Sequence, residues 1–154
     1  VIPRLIDLKV HSFLLPSSLN LMVAQRLVSK ICDNCKKAEK APEEISRILE
    51  KEITRIPKEI LGKSNVDVSK PYKIYKAPGC EVCKGKGITG RVAIFEILKM
   101  TSELEQIINI SPTETKILEE FKRQGNVSLR QDGILKALQG LVAIEEVLRE
   151  TEEV

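Results

Sequence analysis

The four cysteines of the chain occur as two C-x-x-C pairs, and they constrain the fold more than any other feature. The first pair is Cys32 and Cys35, and the second is Cys80 and Cys83. A C-x-x-C pair lets two thiolates reach one metal ion from a single tight turn, and two pairs supply the four soft ligands of a tetrahedral site. We therefore predict that the four sulfurs bind one structural zinc ion, which organises residues 32–87 as an insertion.

The residues around the pairs favour a structural metal over redox chemistry. Glycines follow the second pair at Gly85 and Gly87, where positive φ lets the backbone turn back under a metal. Four sulfurs leave no open ligand position, so the predicted site holds structure and does not catalyse. Two disulfides or four unrelated thiols are the alternatives. A thioredoxin-like redox pair is disfavoured because no βαβ pattern surrounds either C-x-x-C.

Composition excludes several other functions. Hydrophobic residues make up 42% of the 154 and aromatic residues only 3%, so the core is expected to consist of Leu, Ile and Val. This shortage of aromatic rings disfavours a stacking platform for single-stranded nucleic acid. The formal net charge of +3 is too small to indicate a nucleic-acid partner by itself. No signal peptide or membrane-spanning run is recognisable, and metal-ready cysteines indicate the cytoplasm.

Two strands are expected to flank the insertion. Residues 90–98 are rich in β-branched side chains and are bounded by Gly90, and they form the best strand pattern of the chain. Residues 26–31 fit a helix or a strand, and we favour a strand because it would pair antiparallel with 90–98 and carry the insertion at a hairpin tip. Just before this segment, Ser17 or Ser18 is predicted to cap a helix that includes Leu19, Met22 and Val23.

The remaining elements are predicted mostly as helices. Inside the insertion we expect a helix at 42–53, a helical turn at 57–61, a loop at 64–69 and a short strand at 72–75. After Met100, capping boxes are predicted at Ser102 with Glu105, at Ser111 with Glu114, and at Ser128 with Gln131. The fold class is therefore α+β, mostly helical: an antiparallel strand pair carries a tetracysteine zinc-binding insertion, and a C-terminal helical bundle follows.

Other candidate sites carry less weight. His11 is the only histidine, so Ser-His-Asp and Cys/His chemistry is excluded and a surface or capping role is expected. The glycines from Gly85 to Gly90 lack the P-loop spacing and are interpreted as the turn beneath the metal. Arg26, Arg91 and Arg130 are interpreted as surface or ion-pair residues, although each could reach a nucleotide held by a neighbouring subunit. No catalytic residue and no cofactor-binding residue is predicted in this chain.

Four stretches, taken in order, resemble the C-terminal part of the ATPases that drive type II secretion and type IV pilus assembly. They are Arg4–Asp7 with Phe13–Leu14 and Ser17–Leu19; Ala24–Val28 leading into Cys32 and Cys35; Gly79–Cys83 with Gly85, Gly87, Gly90–Arg91 and Ile94–Glu96; and Gly125 with Leu129, Asp132–Gly133, Lys136, Gly140 and Glu145–Leu148. Together these stretches cover nearly the whole chain, and their combination is specific to that family.

The resemblance implies a function for the parent protein. Members of the family are hexameric, ATP-hydrolysing motors at the cytoplasmic face of the inner membrane, where they contact platform proteins; no nucleic acid is expected. The resemblance implies that residues 1–31 end the ATPase-domain core, 32–87 form the zinc-binding insertion, 88–100 form the return strand, and 101–154 form a helical subdomain. It also implies that the sites for ATP and Mg²⁺ lie upstream of Val1.

The chain is accordingly expected to be a piece of a longer protein and to be inactive as an ATPase alone. Ser29 departs from the family, which usually has a basic residue there, and Val142–Ala143 replace the hydroxyl cap of the last helix. The long spacer between the two cysteine pairs leaves the choice between the secretion and pilus branches open.

Two other interpretations stay open at this point. One is a stand-alone zinc-ribbon module that binds protein or nucleic acid, supported by basic residues near the cysteines: Lys30, Lys36, Lys37, Lys84 and Lys86. The other is a zinc repeat of the kind found in J-domain co-chaperones. The glycines at Gly85 and Gly87 suggest it, but the segment around Cys32 and Cys35 lacks matching glycines.

Overall fold

The computed structural model describes residues 1–152, in which helices and strands are mixed. The helices are α1 (Ile2–Asp7), α2 (Leu15–Ser18), α3 (Glu43–Ile53), α4 (Lys58–Lys63), α5 (Ser102–Ile110), α6 (Glu114–Arg123), α7 (Leu129–Leu138) and α8 (Ile144–Glu150), with a 3₁₀ turn at Ser12–Leu14. The strands are β1 (Leu21–Ile31), β2 (Lys37–Lys40), β3 (Lys73–Lys76) and β4 (Ile88–Lys99). β1 pairs with β4, and β2 pairs with β3.

Strands β1 and β4 form the antiparallel pair expected from the sequence. The N–H of Met100 donates to the carbonyl of Asn20 at 3.0 Å, and the N–H of Cys32 donates to the carbonyl of Gly87 at 2.8 Å. Residues near the start of β1 therefore pair with residues near the end of β4, and residues near the end of β1 pair with the start of β4. This is the antiparallel arrangement. The cysteine-bearing segment begins where β1 ends and finishes where β4 begins.

The helix predicted after Ser17 or Ser18 is wrong. Helix α2 ends at Ser18, and β1 already begins at Leu21, about five residues before the expected strand. Burial alternates along this stretch, with Met22 half-buried and Val23 exposed by 50%. That period of two belongs to a strand, although the same apolar residues also fit helical spacing.

One compact unit comprises residues 1–24 and 96–126. Its core contains the buried side chains of Ile2, Leu15, Leu104 and Ile108. The expected helix starts were displaced within this unit: the cap of α5 is Thr101 rather than Ser102, and the cap of α6 is Thr113 rather than Ser111. Each threonine hydroxyl accepts a backbone N–H three residues ahead, which satisfies one orphan donor of the first turn.

The second compact unit comprises residues 25–95 and the segment from 127 onward. Its core contains Val28, Ala41, Leu49, Ile53, Tyr72, Ile74, Ile94, Ile134, Ala137, Leu138, Val142, Ile144 and Val147. Residues from the insertion therefore pack in the same core as residues from α7 and α8. The insertion lies between β1 and β4, as expected from the sequence, and its buried side chains also belong to a core shared with α7 and α8.

Side chains of helix α7 form hydrogen bonds with backbone groups of strand β4. The N–H of Phe95 donates to the carboxylate of Asp132 at 2.8 Å, and the ammonium of Lys136 donates to the carbonyl of Ala93 at 2.9 Å. These two side chains, one helical turn apart, bond the strand as a neighbouring strand would. The capping box predicted at Ser128 with Gln131 is confirmed at the start of this helix.

Helices α5 and α6 belong to the first unit and α7 and α8 to the second. The described structure therefore does not confirm a single C-terminal helical bundle. In residues 1–152, no helix has the length and apolar character required to cross a bilayer.

Candidate metal centre

The structure brings the four cysteines together as the sequence predicts. Their Sγ atoms all lie within 4.8 Å of one another. The separation is 3.9 Å between Cys32 and Cys80, 3.9 Å between Cys35 and Cys83, and 3.7 Å between Cys80 and Cys83. A tetrahedron of sulfurs around zinc, with Zn–S near 2.3 Å, has edges of about 3.8 Å. The four thiols are free, and their spacing fits a metal ion at their centre.

Tight turns deliver each pair of sulfurs. The N–H of Lys36 donates to the carbonyl of Cys32 at 2.9 Å, and the N–H of Gly85 donates to the carbonyl of Cys80 at 2.8 Å. Gly87 follows with a φ of 69°. A Cβ on Gly87 would lie 2.2 Å from the carbonyl oxygen of Ala77, so a side chain cannot fit there. The predicted role of this glycine, a backbone turn beneath the metal, is consistent with both facts.

Backbone and amide donors surround the sulfurs of the second pair. The Sγ of Cys83 accepts the N–H of Cys80 at 3.1 Å and the N–H of Gly87 at 3.2 Å, and the Sγ of Cys80 accepts the side-chain amide of Asn34 at 3.3 Å. The N–H of Cys83 and then this Asn34 amide lower the pKa of the Cys80 thiol to about 6. Donors of this kind stabilise thiolate, which is the form that binds metal.

The remaining sulfurs show why a cation suits the cluster. Burial, followed by its sulfur neighbours, raises the pKa of the Cys35 thiol to about 12. Burial also opposes ionisation of Cys83, but the N–H groups of Cys80 and Gly87 lower the pKa of its thiol below the ordinary value. Four thiolates cannot share so small a volume without a positive charge among them. A divalent ion would supply that charge, so the donor set and the geometry both fit a metal.

Ionic contacts join the first pair to the rest of its unit. The carboxylate of Asp33 bonds Lys30 at 2.9 Å and Lys36 at 2.7 Å. These two lysines, Lys30 first, lower the pKa of Asp33 to about 2. The ammonium of Lys36 also donates to the carbonyl of Gly140 at 3.0 Å. Sequence reasoning missed this contact, because a backbone acceptor 104 residues away leaves no sequence signal.

The other residues considered in the sequence lie apart from the cysteine cluster. His11 is exposed and stacks on Phe13, with ring centroids 5.6 Å apart. Arg26 donates to the backbone carbonyl of Glu150, and the guanidinium of Arg130 lies 4.0 Å from the carboxylate of Glu52. These contacts fit the surface and ion-pair roles that we assigned to both arginines. Arg91 is exposed.

The tripeptide Gly62-Lys63-Ser64 matches the end of a P-loop in sequence but not in structure. Here the tripeptide ends helix α4 instead of starting a helix. The N–H of Ser64 donates to the carbonyls of Ile60 and Leu61 at 3.0 and 3.2 Å. Because a phosphate-binding loop needs free N–H groups at a helix N-terminus, this segment is not one.

The sequence is similar to known secretion proteins over nearly its whole length. The family model described as "Type II/IV secretion system protein" matches residues 1–149. The chain is 37% identical over 150 residues to the type IV pilus assembly ATPase PilB of Pseudomonas aeruginosa, covering 97% of this chain and 24% of that protein.

Two further relatives represent the same two systems. Identity is 37% over 153 residues to the type IV pilus assembly ATPase PilB of Thermus thermophilus, covering 99% of this chain and 16% of the relative. Identity is 32% over 152 residues to the type II secretion system ATPase E of Vibrio cholerae, covering 99% of this chain and 27% of the relative. The chain thus spans about a quarter or less of the length of the relatives it matches.

Proposed function

The chain belongs to the type II/IV secretion system protein family, and we propose that it is the zinc-bearing C-terminal part of a hexameric ATPase motor. That motor would power type II secretion or type IV pilus assembly. The observation that carries the proposal is the convergence of four cysteine sulfurs within 4.8 Å in a chain that matches this family over residues 1–149. Relatives named as ATPases of both systems support it.

Within this motor the cysteine cluster has a structural role. Cys32, Cys35, Cys80 and Cys83 would be the zinc ligands, and a site with four protein sulfurs has no open position for water or substrate. When bound, zinc supplies positive charge that lets the sulfurs coexist as thiolates. The two cysteine turns would then be joined through the metal. This link would hold insertion residues such as Leu49 and Ile74 in the core of their unit.

The domain order follows the family arrangement. Residues 1–31 end the ATPase-domain core, 32–87 are the zinc-binding insertion, 88–100 are the return strand, and 101–154 form the helical subdomain. The sites for ATP and Mg²⁺ belong to the rest of the protein. The motor would work at the cytoplasmic face of the inner membrane, with platform proteins of the secretion or pilus machine as partners.

The alternative, a zinc-ribbon module that binds nucleic acid, has less support from the contacts. Lys30 and Lys36, two of the basic residues near the cysteines, both bond the carboxylate of Asp33. Their charges are therefore partly balanced by this carboxylate, which leaves less positive charge to attract a phosphate backbone. Binding of DNA or RNA that weakens steeply with salt would favour the alternative over the motor.

Cobalt substitution tests the metal part of the proposal. Titration of the reduced chain with Co²⁺ should end at one equivalent, with thiolate charge-transfer bands and the intense d–d bands of a tetrahedral ion. Cys80→Ser should weaken both sets of bands, and Val82→Ser, which changes an exposed residue of the same turn, should leave them unchanged. A weak, octahedral spectrum in the unmodified chain would contradict a four-sulfur site.

Turnover and mass measurements test the motor part. The longer protein that contains this chain should form a hexamer and hydrolyse ATP, and Cys80→Ser in that protein should impair assembly. The isolated chain should show no more turnover than a variant in which all four cysteines are replaced. Turnover by the isolated chain above that control would contradict the proposal that the ATP and Mg²⁺ sites lie in the rest of the protein.

A further inference from the structure

The first cysteine turn lies against the connection between α7 and α8, which we call the corner segment and define as residues 139–143. The N–H of Ile31 donates to the carbonyl of Leu141 at 3.0 Å, and Lys30 pairs with Val142 in an antiparallel bridge. These backbone contacts immediately precede Cys32. The corner segment therefore continues the sheet from the strand that leads into the predicted metal site.

Lys36 adds a side-chain contact from the other side of the same turn. Lys36 directly follows Cys35, and its N–H donates to the carbonyl of Cys32 at 2.9 Å. The backbone position of Lys36 is therefore fixed by the turn that carries both cysteines. Its ammonium donates to Asp33 at 2.7 Å and to the carbonyl of Gly140 at 3.0 Å. Only 27% of this side chain is exposed.

The acceptor at Gly140 is itself held in place. Gly140 has a φ of 72°, and the N–H of Leu141 returns to the carbonyl of Lys136 at 3.0 Å, which ends α7. The ring of Tyr75 lies on Gly140, so close that an added Cβ would be 3.1 Å from ring carbons. The ammonium of Lys36 lies 6.0 Å from the centre of the same ring. The corner carbonyl, the aromatic ring and the ammonium thus form one packed contact.

We propose that Lys36 is a positioning residue that couples metal occupancy of the cysteine cluster to the order of the corner segment. The inference rests on the proposed metal site and extends it. When the turn around Cys35 is closed by metal, Lys36 is aimed at the carbonyl of Gly140; when the turn opens, that contact is lost. Because coupling is reciprocal, an ordered corner segment also favours metal binding.

The coupling is measured by hydrogen exchange and zinc competition on the full chain. Lys36→Met keeps most of the side-chain length and removes the charge. It should leave one zinc per chain, raise amide exchange in the corner segment by about tenfold, and weaken zinc affinity by up to about tenfold, as expected for loss of a charged hydrogen bond. Lys36→Arg, which keeps a cationic donor, should restore part of the protection.

Lys37→Met is the matched control. Lys37 is the next residue and is exposed, and in residues 1–152 the structure shows no ion pair for it. Exchange in the corner segment that stays unchanged in Lys36→Met, or that rises equally in Lys37→Met, would overturn the coupling. If Lys36→Met does not fold, Lys36→Gln, which also removes the charged donor to Gly140, gives a second test under the same two criteria.

Failure of the coupling and failure of the metal site are distinguishable. An unmodified chain that binds no zinc contradicts the proposed site itself and, with it, the coupling. A chain that binds one zinc, but whose corner segment exchanges at the same rate with zinc and after chelation, retains the site and contradicts only the coupling.

Discussion

The two compact units differ in what holds their cores together. The first unit buries a small set of aliphatic side chains and adds a polar network around Glu120, which is only 3% exposed. The second unit has a larger, mostly aliphatic core. Its cysteine cluster joins the two ends of the segment from Cys32 to Cys83, and that segment supplies several residues of this core. Metal removal should therefore destabilise mainly the second unit. Protonation of Glu120 and truncation of a core side chain such as Leu104 should destabilise the first.

Replacing one cysteine should have the largest effect. Cys83→Ser removes a buried sulfur from the cluster, and because metal binding energy is folding energy in such sites, we expect a loss on the order of 5 kcal/mol or more in the second unit. Hydrogen exchange should rise across α3, β3 and α7 and stay low in α5. Val82→Ser, at an exposed position of the same turn, should keep both metal and protection. Equal loss of protection in α5 would remove the distinction between the units.

Core truncation in the first unit should give the converse pattern. Leu104 is fully buried, so Leu104→Ala should cost about 2–4 kcal/mol in denaturant unfolding. Exchange should rise in α1 and α5, while the zinc content stays at that of the unmodified chain. Leu118→Ala, at a position 48% exposed, is the control and should cost much less. Zinc loss in Leu104→Ala would show that the units are not separable in this way.

Acid should weaken the first unit through Glu120. Its carboxylate accepts bonds from Arg123 at 2.6 Å, from Thr101 at 2.8 Å and from Gln124 at 2.8 Å. Arg123 is the strongest of the groups that lower the pKa of Glu120, from its usual 4.5 to about 2. Since the folded pKa is the lower one, the stabilisation is complete above the unfolded value and is lost as the pH falls toward 2.

We expect this carboxylate to contribute about 2–3 kcal/mol at neutral pH. Glu120→Gln should remove most of it and flatten the dependence of unfolding free energy on pH between 5 and 3. Glu119→Gln, at the exposed neighbouring position, should keep the slope of the unmodified chain. Identical slopes in the two variants would contradict the role assigned to Glu120.

A missing cap should give the smallest effect. Helix α8 begins after Ala143, whose extended backbone (φ −76°, ψ 140°) suits an N-cap but whose side chain cannot accept a hydrogen bond. Ala143→Ser should stabilise the second unit by about 0.5–1 kcal/mol, whereas Ser128→Ala at the start of α7 should cost about 1 kcal/mol. Thermal unfolding of the zinc-loaded chain measures both changes. A destabilising Ala143→Ser would contradict the expectation that a hydroxyl at this position can cap α8.

The sequence predicted the features with strong local signals. Strand β4 follows from the β-branched residues after Gly90, and the capping box of Ser128 and Gln131 follows from spacing alone. The assembly of the four cysteines was also predictable, because two C-x-x-C turns favour one shared metal ion. These predictions depend on residues close together in sequence or on a chemistry that few arrangements satisfy.

Features with competing or absent local signals were missed. Strand β2 has the sequence Lys-Ala-Glu-Lys, which lacks apolar alternation, and it forms because β3 pairs with it. The caps of α5 and α6 were placed on the wrong hydroxyl because serine and threonine both stand near each helix start, as Thr101 and Ser102 do. The contact from Lys36 to Gly140 depends on tertiary packing alone.

Elemental analysis of the chain, purified without added metal, tests the central claim most directly. We predict about one zinc per chain, with the thiols of Cys32, Cys35, Cys80 and Cys83 protected from a thiol reagent until a chelator is added. Less than about half an equivalent of zinc, with all four thiols reactive in the folded chain, would contradict a metal-organised second unit.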